Sequence, residues 1–491
     1  MNYESDIYPF KFSIITAVYN IAPYLSEAIE SILCQDIGFR ESVELVLVDD
    51  GSTDSSGEIC DHYQALYPEN IKVLHKENGG AASARNAGIA LASGRYLNFL
   101  DGDDRLSPCT LSSVYDFFST VDKEISLVSV PIQFFEKKGN AHRLNYKYQD
   151  VRNQIIDLNT KYSYVQMSIA SSFVKHEVLN EHTFDTSLRY AEDAKAIMEL
   201  LLDHPYYGIV PSGCYYYRFR NTQNSALNGT KQHKEWYLDC LKNYIQWALE
   251  TARQKYGRIP YFVQYNVMYD LQSRFGVPEI PESVLSPDEH QEFLSLLREL
   301  LQSIDDKIIL EQRNLSREQK DYIISFKKGT GILKHTSHDI FFQYGNLKLY
   351  PASSYLLKLF HAEISERDLK ITGSVKFNRR FPNPASLCVQ VRHLLRTHTI
   401  SCDWAPDTSS DFVFDGTLLS QFLNFEVSIP LQLLHEKNTV EFCMMCDNHP
   451  VRFKNLRAEP SFPDAVSTPQ ASWQLSVTSH ALSLKKHKKS S

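Results

Sequence analysis

The first 130 residues alternate short apolar runs with amphipathic stretches, and this restricts the possible folds more than any other feature of the chain. Phe12–Ala17 (FSIITA) and Val43–Val48 (VELVLV) have the length and composition of strands buried on both faces. Between them Leu25, Ala28, Ile29, Ile32 and Leu33 recur at helical spacing. Further strands are expected at Ile71–His75 and Arg95–Leu100, and helices at Ser55–Tyr67, Ala81–Leu91 and Pro108–Ser119. Such a βαβα order predicts an α/β domain with a mainly parallel, Rossmann-like sheet covered by helices on both faces. Ligands of these sheets sit outside the carboxyl ends of the strands. The polar segments fall at those ends: Tyr19-Asn20, Asp49-Asp50-Gly51-Ser52 and Asp101-Gly102-Asp103-Asp104.

The remainder of the 491 residues is long enough for further domains. From about Thr230 to Tyr344 the pattern is helical: Leu238, Leu241, Ile245 and Ala248 share a face, as do Phe293, Leu296, Leu297, Leu300 and Leu301. Pro260 suits the first turn of a helix carrying Val263, Val267 and Leu271. From about Asn346 the period becomes two, as in Leu387, Val389, Val391 and in Phe425, Val427, Ile429, which predicts a small antiparallel β-sandwich. The expected organisation is an α/β domain over 1–228, a helical segment over 229–345, a β-sandwich over 346–475 and a basic tail over 476–491.

A net charge of −8 argues against nucleic-acid binding. No apolar run approaches the ~20 residues of a membrane span, and MNYESDIYPFKF lacks the basic-then-apolar order of a secretory signal. Nine cysteines, an odd and sparse number, fit reduced thiols and a cytoplasmic setting. Lys485, Lys486, Lys488 and Lys489 leave open a weak peripheral attraction to the inner face of the plasma membrane. Cys443 and Cys446 form a C-x-x-C near His449, but without a second pair at zinc spacing they read as strand cysteines.

Asp101 and Asp103, two apart after an apolar strand, point the same way in extended chain, and two such carboxylates suit a hard divalent cation. Gly102 between them lets a ligand approach the backbone. In isolation the same residues could form a solvated turn. Asp50 ends the second strand; Ser52 to Asp54 could cap the next helix while Asp50 points into the crevice. In Asn78–Gly88 (NGGAASARNAG) glycines precede a helix, and Arg85 offers a planar fork to phosphate or carboxylate. Glu192-Asp193 precedes Ala196, Ile197, Leu200 and Leu201, so it starts a helix, a place where the dipole alone favours acids.

The ordered series TAVYN, VDDGSTD, NGGAASARNAG, RYLNFLDGDD and AED resembles the family 2 glycosyltransferases over about residues 10–225. The resemblance implies a GT-A fold. It implies that Ala17, Tyr19, Asp50, Asn78, Arg85, Asp101 and Gly102 hold a UDP-sugar donor. It also implies that Asp101 and Asp103 bind Mn²⁺ or Mg²⁺ on the diphosphate, and that Asp193 is the catalytic base beside Glu192. Ala82 stands where the family often has Ser, removing one hydroxyl contact. Tyr215–Arg220 followed by Ser225 resembles an aromatic-Arg-x-Arg segment of teichoic-acid and capsule transferases, which implies that Arg218, Arg220 and Ser225 lie near the diphosphate and acceptor. Residues 259–275 are similar to a segment of Gram-positive wall- and capsule-polymer transferases.

The leading expectation is an inverting, metal-dependent transferase acting on a cell-surface glycan, polyol-phosphate polymer or lipid-linked acceptor, with the β-domain open to homo-oligomerisation. A nucleotidyltransferase would carry a Gly-rich basic loop after the first strand, where this chain has Ala17-Val18-Tyr19-Asn20. The remaining alternative is a non-catalytic glycan-binding scaffold with a transferase-like domain; intact Asp101, Asp103 and Asp193 argue against it.

Overall fold

Four apolar segments form the parallel half of the main sheet: β1 (Phe10–Val18), β2 (Val43–Asp49), β3 (Ile71–His75) and β4 (Gly94–Phe99). The computed structural model describes residues 8–121, 125–136, 142–179, 183–219, 229–336, 339–378, 386–394, 396–446, 449–469 and 471–488. β1 lies between β2 and β4, pairing Thr16 with Leu47 and Ile15 with Phe99, and β2 pairs with β3. Every residue of β2 is buried, which is why its sequence is mostly apolar rather than alternating; the one charge within VELVLV, Glu44, is bonded by Ser13 and Lys72. Helices Ala22–Leu33, Ser56–Leu66, Gly80–Leu91 and Thr110–Val121 link or follow these strands. A side chain at Gly88 would meet Ile15 Cγ2 at 2.3 Å, so this glycine lets the Gly80–Leu91 helix lie close on the sheet and fixes where Arg85 emerges.

The sheet departs from uniform parallel pairing beyond β4. With β5 (Arg105–Leu106), β6 (Leu127–Ser129), β7 (Ile132–Phe135), β8 (Gln154–Asp157), β9 (Ser172–Lys175), β10 (Tyr206–Ile209) and β11 (Tyr215–Arg218) defined, its order is β3-β2-β1-β4-β9-β6-β10-β8. β9 runs antiparallel to both β4 and β6, and β8 antiparallel to β10. A separate small sheet, β5-β11-β7, places Tyr215–Arg218 beside the segment that follows Asp101–Asp104.

Two compact units emerge. One contains the described residues up to Leu271 together with Pro281–Asn314; the other contains Gln272–Ile280 and the described residues from Leu315 onward. The expected helical segment is therefore divided, because nine residues between two helices belong to the second unit's core rather than the first's. In the first unit, Tyr261–Leu271 is buried on nearly all sides, and Gln264 holds the chain on either side of it, accepting from the Asp305 amide at 2.7 Å and donating to the Ile259 carbonyl at 2.8 Å.

The first unit also buries a lysine. Lys147 Nζ donates to the Val165 carbonyl at 2.9 Å and to Gln166 Oε1, and lies over the rings of Tyr148 and Tyr207. Burial alone pulls its pKa down to about 7, and a neutral amine has two N–H bonds for these two acceptors. The unfolded chain then carries a proton between pH 7 and about 10 that the native state lacks, so this group makes stability rise with pH across that window. The melting-temperature difference between Lys147→Met and wild type is expected to change over the same window and level off below pH 7. A constant difference from pH 7 to 10 would count against a neutral Lys147.

In the second unit, Phe275 packs with Tyr322, Phe326 and Phe414, with ring centroids 5.1 to 6.3 Å away. Five- and seven-stranded sheets, antiparallel except for one short parallel pairing, build most of this unit, and Phe425 meets Phe442 between them at 5.6 Å. Strand character starts earlier than the sequence pattern suggested, at Ile332–His335. Cys443 is a buried strand residue directly opposite Cys388, as expected of a strand cysteine. The reading of 476–491 as a tail is corrected: Leu482–Lys488 is a strand paired with Ala471–Val477. Leu482 and Leu484 alternate inward, and the lysine-rich composition had obscured this period of two.

Candidate functional site

The carboxyl ends of β1, β2 and β4 carry three loops. Asn20, in a left-handed conformation (φ 49°), accepts at Oδ1 from the Thr53 amide at 2.8 Å, while its own amide donates to Ser52 Oγ at 3.1 Å. Ala22 N–H donates to Asp54 at 3.1 Å. The Tyr19-Asn20 and Asp50–Asp54 loops are thus joined. Tyr19 is left 53% exposed, a ring free to stack on a planar ligand. Ala17 lies at the end of β1 opposite Val48, and Asn78 is exposed beside Gly51.

Asp50 is buried, and its carboxylate accepts from Lys76 Nζ at 2.6 Å and from the amides of Gly79 at 3.0 Å and Gly80 at 2.8 Å. It is thereby tied to the start of the Gly80–Leu91 helix, while Asp54 Oδ1 accepts from the Ser56 amide at 2.9 Å at the start of the Ser56–Leu66 helix, the capping expected of this loop. Lys76 was not singled out from the sequence; its position directly after β3 is the signal that could have found it.

Arg85 joins the two acidic motifs. One guanidinium nitrogen donates to Glu192 Oε1 at 2.8 Å and the other to Asp101 Oδ1 at 3.2 Å, with the group over the Phe184 ring. Burial disfavours its charge, but the carboxylates of Asp101, Glu192 and Asp193 outweigh this and raise its pKa. Glu192 and Asp193 start the Glu192–Asp203 helix, entered through Ala191 at φ 67°, a strained left-handed conformation for a residue with a side chain. Asp193 Oδ1 accepts from the Ala194 amide at 2.8 Å. Burial first, and then the neighbouring Glu192 carboxylate, push its carboxyl up to about 7 against the pull of Arg85. A carboxylate with that pKa is suited to accept a proton at neutral pH.

The loop after β4 contains a residue that the sequence reading left without a role. Asp104 is buried and accepts from Tyr215 Oη at 2.6 Å and from the Arg218 amide at 2.7 Å. Burial, then Asp101 and Asp103, raise its pKa well above the usual carboxylate range. Gly102 is buried, and Asp101 and Asp103 are partly exposed. Arg218 is itself engaged: Nε donates to the Asp103 carbonyl at 2.7 Å, and the two terminal nitrogens pair with Glu136 and Glu27. Arg220 and Ser225 lie outside the described residues. Asp101, Glu192, Asp193 and Arg85 thus come together, while Asp50, Tyr19 and Asn78 group at the neighbouring strand ends.

Removing the Arg85 charge tests this coupling. Arg85→Gln is expected to move the acid limb of a rate–pH profile upward by roughly one unit, since an adjacent opposite charge shifts a carboxyl by about that much or more. An unmoved limb would separate Arg85 from the ionisation of Asp193.

The chain belongs to glycosyl transferase family 2, whose family model matches residues 13–183. GgaB of Bacillus subtilis (strain 168), a minor teichoic acid biosynthesis protein, is 32% identical over 90% of this chain and 49% of its own length. GgaA of the same organism, also a minor teichoic acid biosynthesis protein, is 35% identical over 61% of this chain and 68% of its own length. The chain therefore spans about half of GgaB and two thirds of GgaA. Among solved structures, S. aureus TarS superposes with a TM-score of 0.60 at 15% identity, over 98% of this chain and 86% of that one. Its fragment 1–349 in complex with UDP-GlcNAc gives a TM-score of 0.51 at 17% identity, over 70% of this chain and 99% of that one.

Proposed function

We propose that this chain transfers a sugar from a UDP-sugar to a teichoic-acid-like polymer, cell-surface polysaccharide or lipid-linked acceptor, with inversion and with a divalent cation. The observation that carries this reading is the Arg85 bridge, which sets a carboxylate of the D-x-D loop and the Glu192-Asp193 pair around one space. The relatives named for teichoic acid biosynthesis favour the acceptor class, and the UDP-GlcNAc complex of TarS favours the donor.

Tyr19, Asp50 and Asn78 would hold the nucleoside end at the carboxyl ends of β1 and β2. Asp101 and Asp103, both partly exposed, are the residues that would hold a hard cation with their two carboxylates. Bound there, Mn²⁺ or Mg²⁺ would neutralise charge growing on the departing diphosphate. Asp193, ionised above about pH 7, would accept the proton of the acceptor hydroxyl as that oxygen attacks the anomeric carbon. A single displacement from the face opposite the diphosphate inverts the centre. Glu192, paired with Arg85, would orient the acceptor hydroxyl.

Among the described residues no helix is long and apolar enough to cross a membrane, and the described cysteines are free thiols, which favours a reducing compartment. The test is to incubate the chain with a panel of UDP-sugars, Mn²⁺ and a polyol-phosphate polymer, and to read transfer and anomeric configuration by NMR. Transfer with inversion supports the reading; retained configuration, or donors accepted only with another nucleotide, overturns it. UDP and Mn²⁺ binding without any turnover would favour the scaffold alternative.

A further inference from the structure

Arg218, expected from its motif to meet the diphosphate, is placed by the structure under the loop that would hold the cation. It touches that loop twice. Its backbone amide donates to Asp104 Oδ1 at 2.7 Å, and its side-chain Nε donates to the Asp103 carbonyl at 2.7 Å. Tyr215, three residues earlier on β11, donates its hydroxyl to Asp104 Oδ2 at 2.6 Å and meets the Asp101 amide at 3.4 Å. The Asp101–Asp104 loop is therefore gripped through its backbone and through its buried acid, while the Asp101 and Asp103 side chains contribute to neither contact.

The other end of Arg218 is equally committed. Its terminal nitrogens pair with Glu27, from the Ala22–Leu33 helix, and with Glu136, just past β7, where the backbone is left-handed at φ 67°. The guanidinium lies over the rings of Tyr24 at 4.8 Å and Phe135 at 4.5 Å. Only 4% of the side chain is exposed. Arg105 Nη1 bonds the second oxygen of Glu27 at 2.8 Å, so that carboxylate is itself oriented. Bonds from Nε and from both terminal nitrogens, held in fixed directions by the planar guanidinium, make this one residue a brace between a helix, a strand and the loop.

We propose that Arg218, held by Glu27 and Glu136, is a positioning residue that presets the Asp101–Asp103 carboxylates for a divalent cation, rather than a ligand of the diphosphate. This rests on the metal-dependent reading above. Groups that orient metal ligands commonly change metal affinity by 10- to 100-fold when removed.

The experiment measures Mn²⁺ binding by electron paramagnetic resonance in the presence of UDP, and UDP binding by calorimetry in EDTA, on the full chain. Arg218→Gln and the double variant Glu27→Gln/Glu136→Gln are both expected to weaken Mn²⁺ by about tenfold, with UDP affinity in EDTA unchanged. Arg218→Lys, which keeps the charge but loses the fork, is expected to restore little of the loss. The double variant leaves Arg218 intact, so the proposal stays testable should Arg218→Gln fail to fold. If Arg218 contacts the diphosphate instead, Arg218→Gln weakens UDP in EDTA and the double variant does not, which overturns the proposal. Unchanged Mn²⁺ affinity in a folded double variant, with only a lower melting point, overturns it as well. If wild type shows no UDP-dependent Mn²⁺ binding at all, the metal-dependent reading falls and takes this proposal with it.

Discussion

Asp193→Asn is expected to lower sugar transfer by about 10²-fold or more, the usual contribution of a general base, while raising the melting temperature at pH 8. The two effects share one cause. Burial and the adjacent Glu192 lift the carboxyl to about 7, so above that pH the native state holds an ion in a site that disfavours it. The sign follows from proton counting. Between the ordinary value of 3.8 and about 7, the native state binds a proton that the unfolded chain does not. Stability from this group is therefore full at low pH and is lost as pH rises through 7. The amide of Asn keeps an acceptor for the Ala194 N–H and carries no charge. Losing the favourable dipole interaction at the helix start costs about 0.3–1 kcal/mol, and the upward pKa shift, which already contains that interaction, says that burial and repulsion win.

The stabilisation should fade as the pH falls from 8 toward 5, as wild-type Asp193 takes up its proton. Glu192→Gln should cost less activity, since the role proposed for Glu192 is to orient the acceptor hydroxyl rather than to take its proton. A purely capping Asp193 gives the opposite pattern: a slightly lower melting point, no pH dependence of the difference, and near-normal transfer. That result would remove Asp193 from the mechanism.

What the sequence disclosed, and what it hid, follows from the range of the interactions involved. Strands β1 and β2 were legible because burial on both faces leaves a mostly apolar run, as in VELVLV, whose one charge, Glu44, is buried against Ser13 and Lys72. The clustering of Asp101 with Glu192-Asp193 was implied by resemblance, but the connection through Arg85 was not, since 107 residues separate Arg85 from Glu192. Arg218 is the clearest case: its partners Glu27 and Glu136 lie 191 and 82 residues away, and no local pattern ties them together. Asp104 reads as one more acid in DGDD until the fold buries it beneath Tyr215. The reversal at β9 and the assignment of Gln272–Ile280 to the second unit were illegible for the same reason, because pairing and domain membership are decided by partners distant in sequence.

Asp103→Asn is expected to reduce turnover by roughly 10³-fold, and EDTA to do the same to wild type, because a cation on a leaving diphosphate contributes several kcal/mol. Of the two candidate ligands, Asp101 is the one tied to Arg85 and to the Asp193 ionisation. Asp101 also accepts from Arg85 at 3.2 Å, and its charge is among those that raise Asp193. Asp101→Asn would therefore remove a ligand, release one arm of Arg85 and move the Asp193 ionisation to lower pH at once. The Asp103 substitution should leave the pH profile of any residual activity in place, with its acid limb near 7. Adding excess Mn²⁺ should recover activity in the variant only partly, by saturating a weakened site, and fully in EDTA-treated wild type. Undiminished transfer in EDTA would exclude the cation from the mechanism while leaving the Asp193 test standing, because in the proposed mechanism the base takes the acceptor's proton and the cation serves the departing diphosphate.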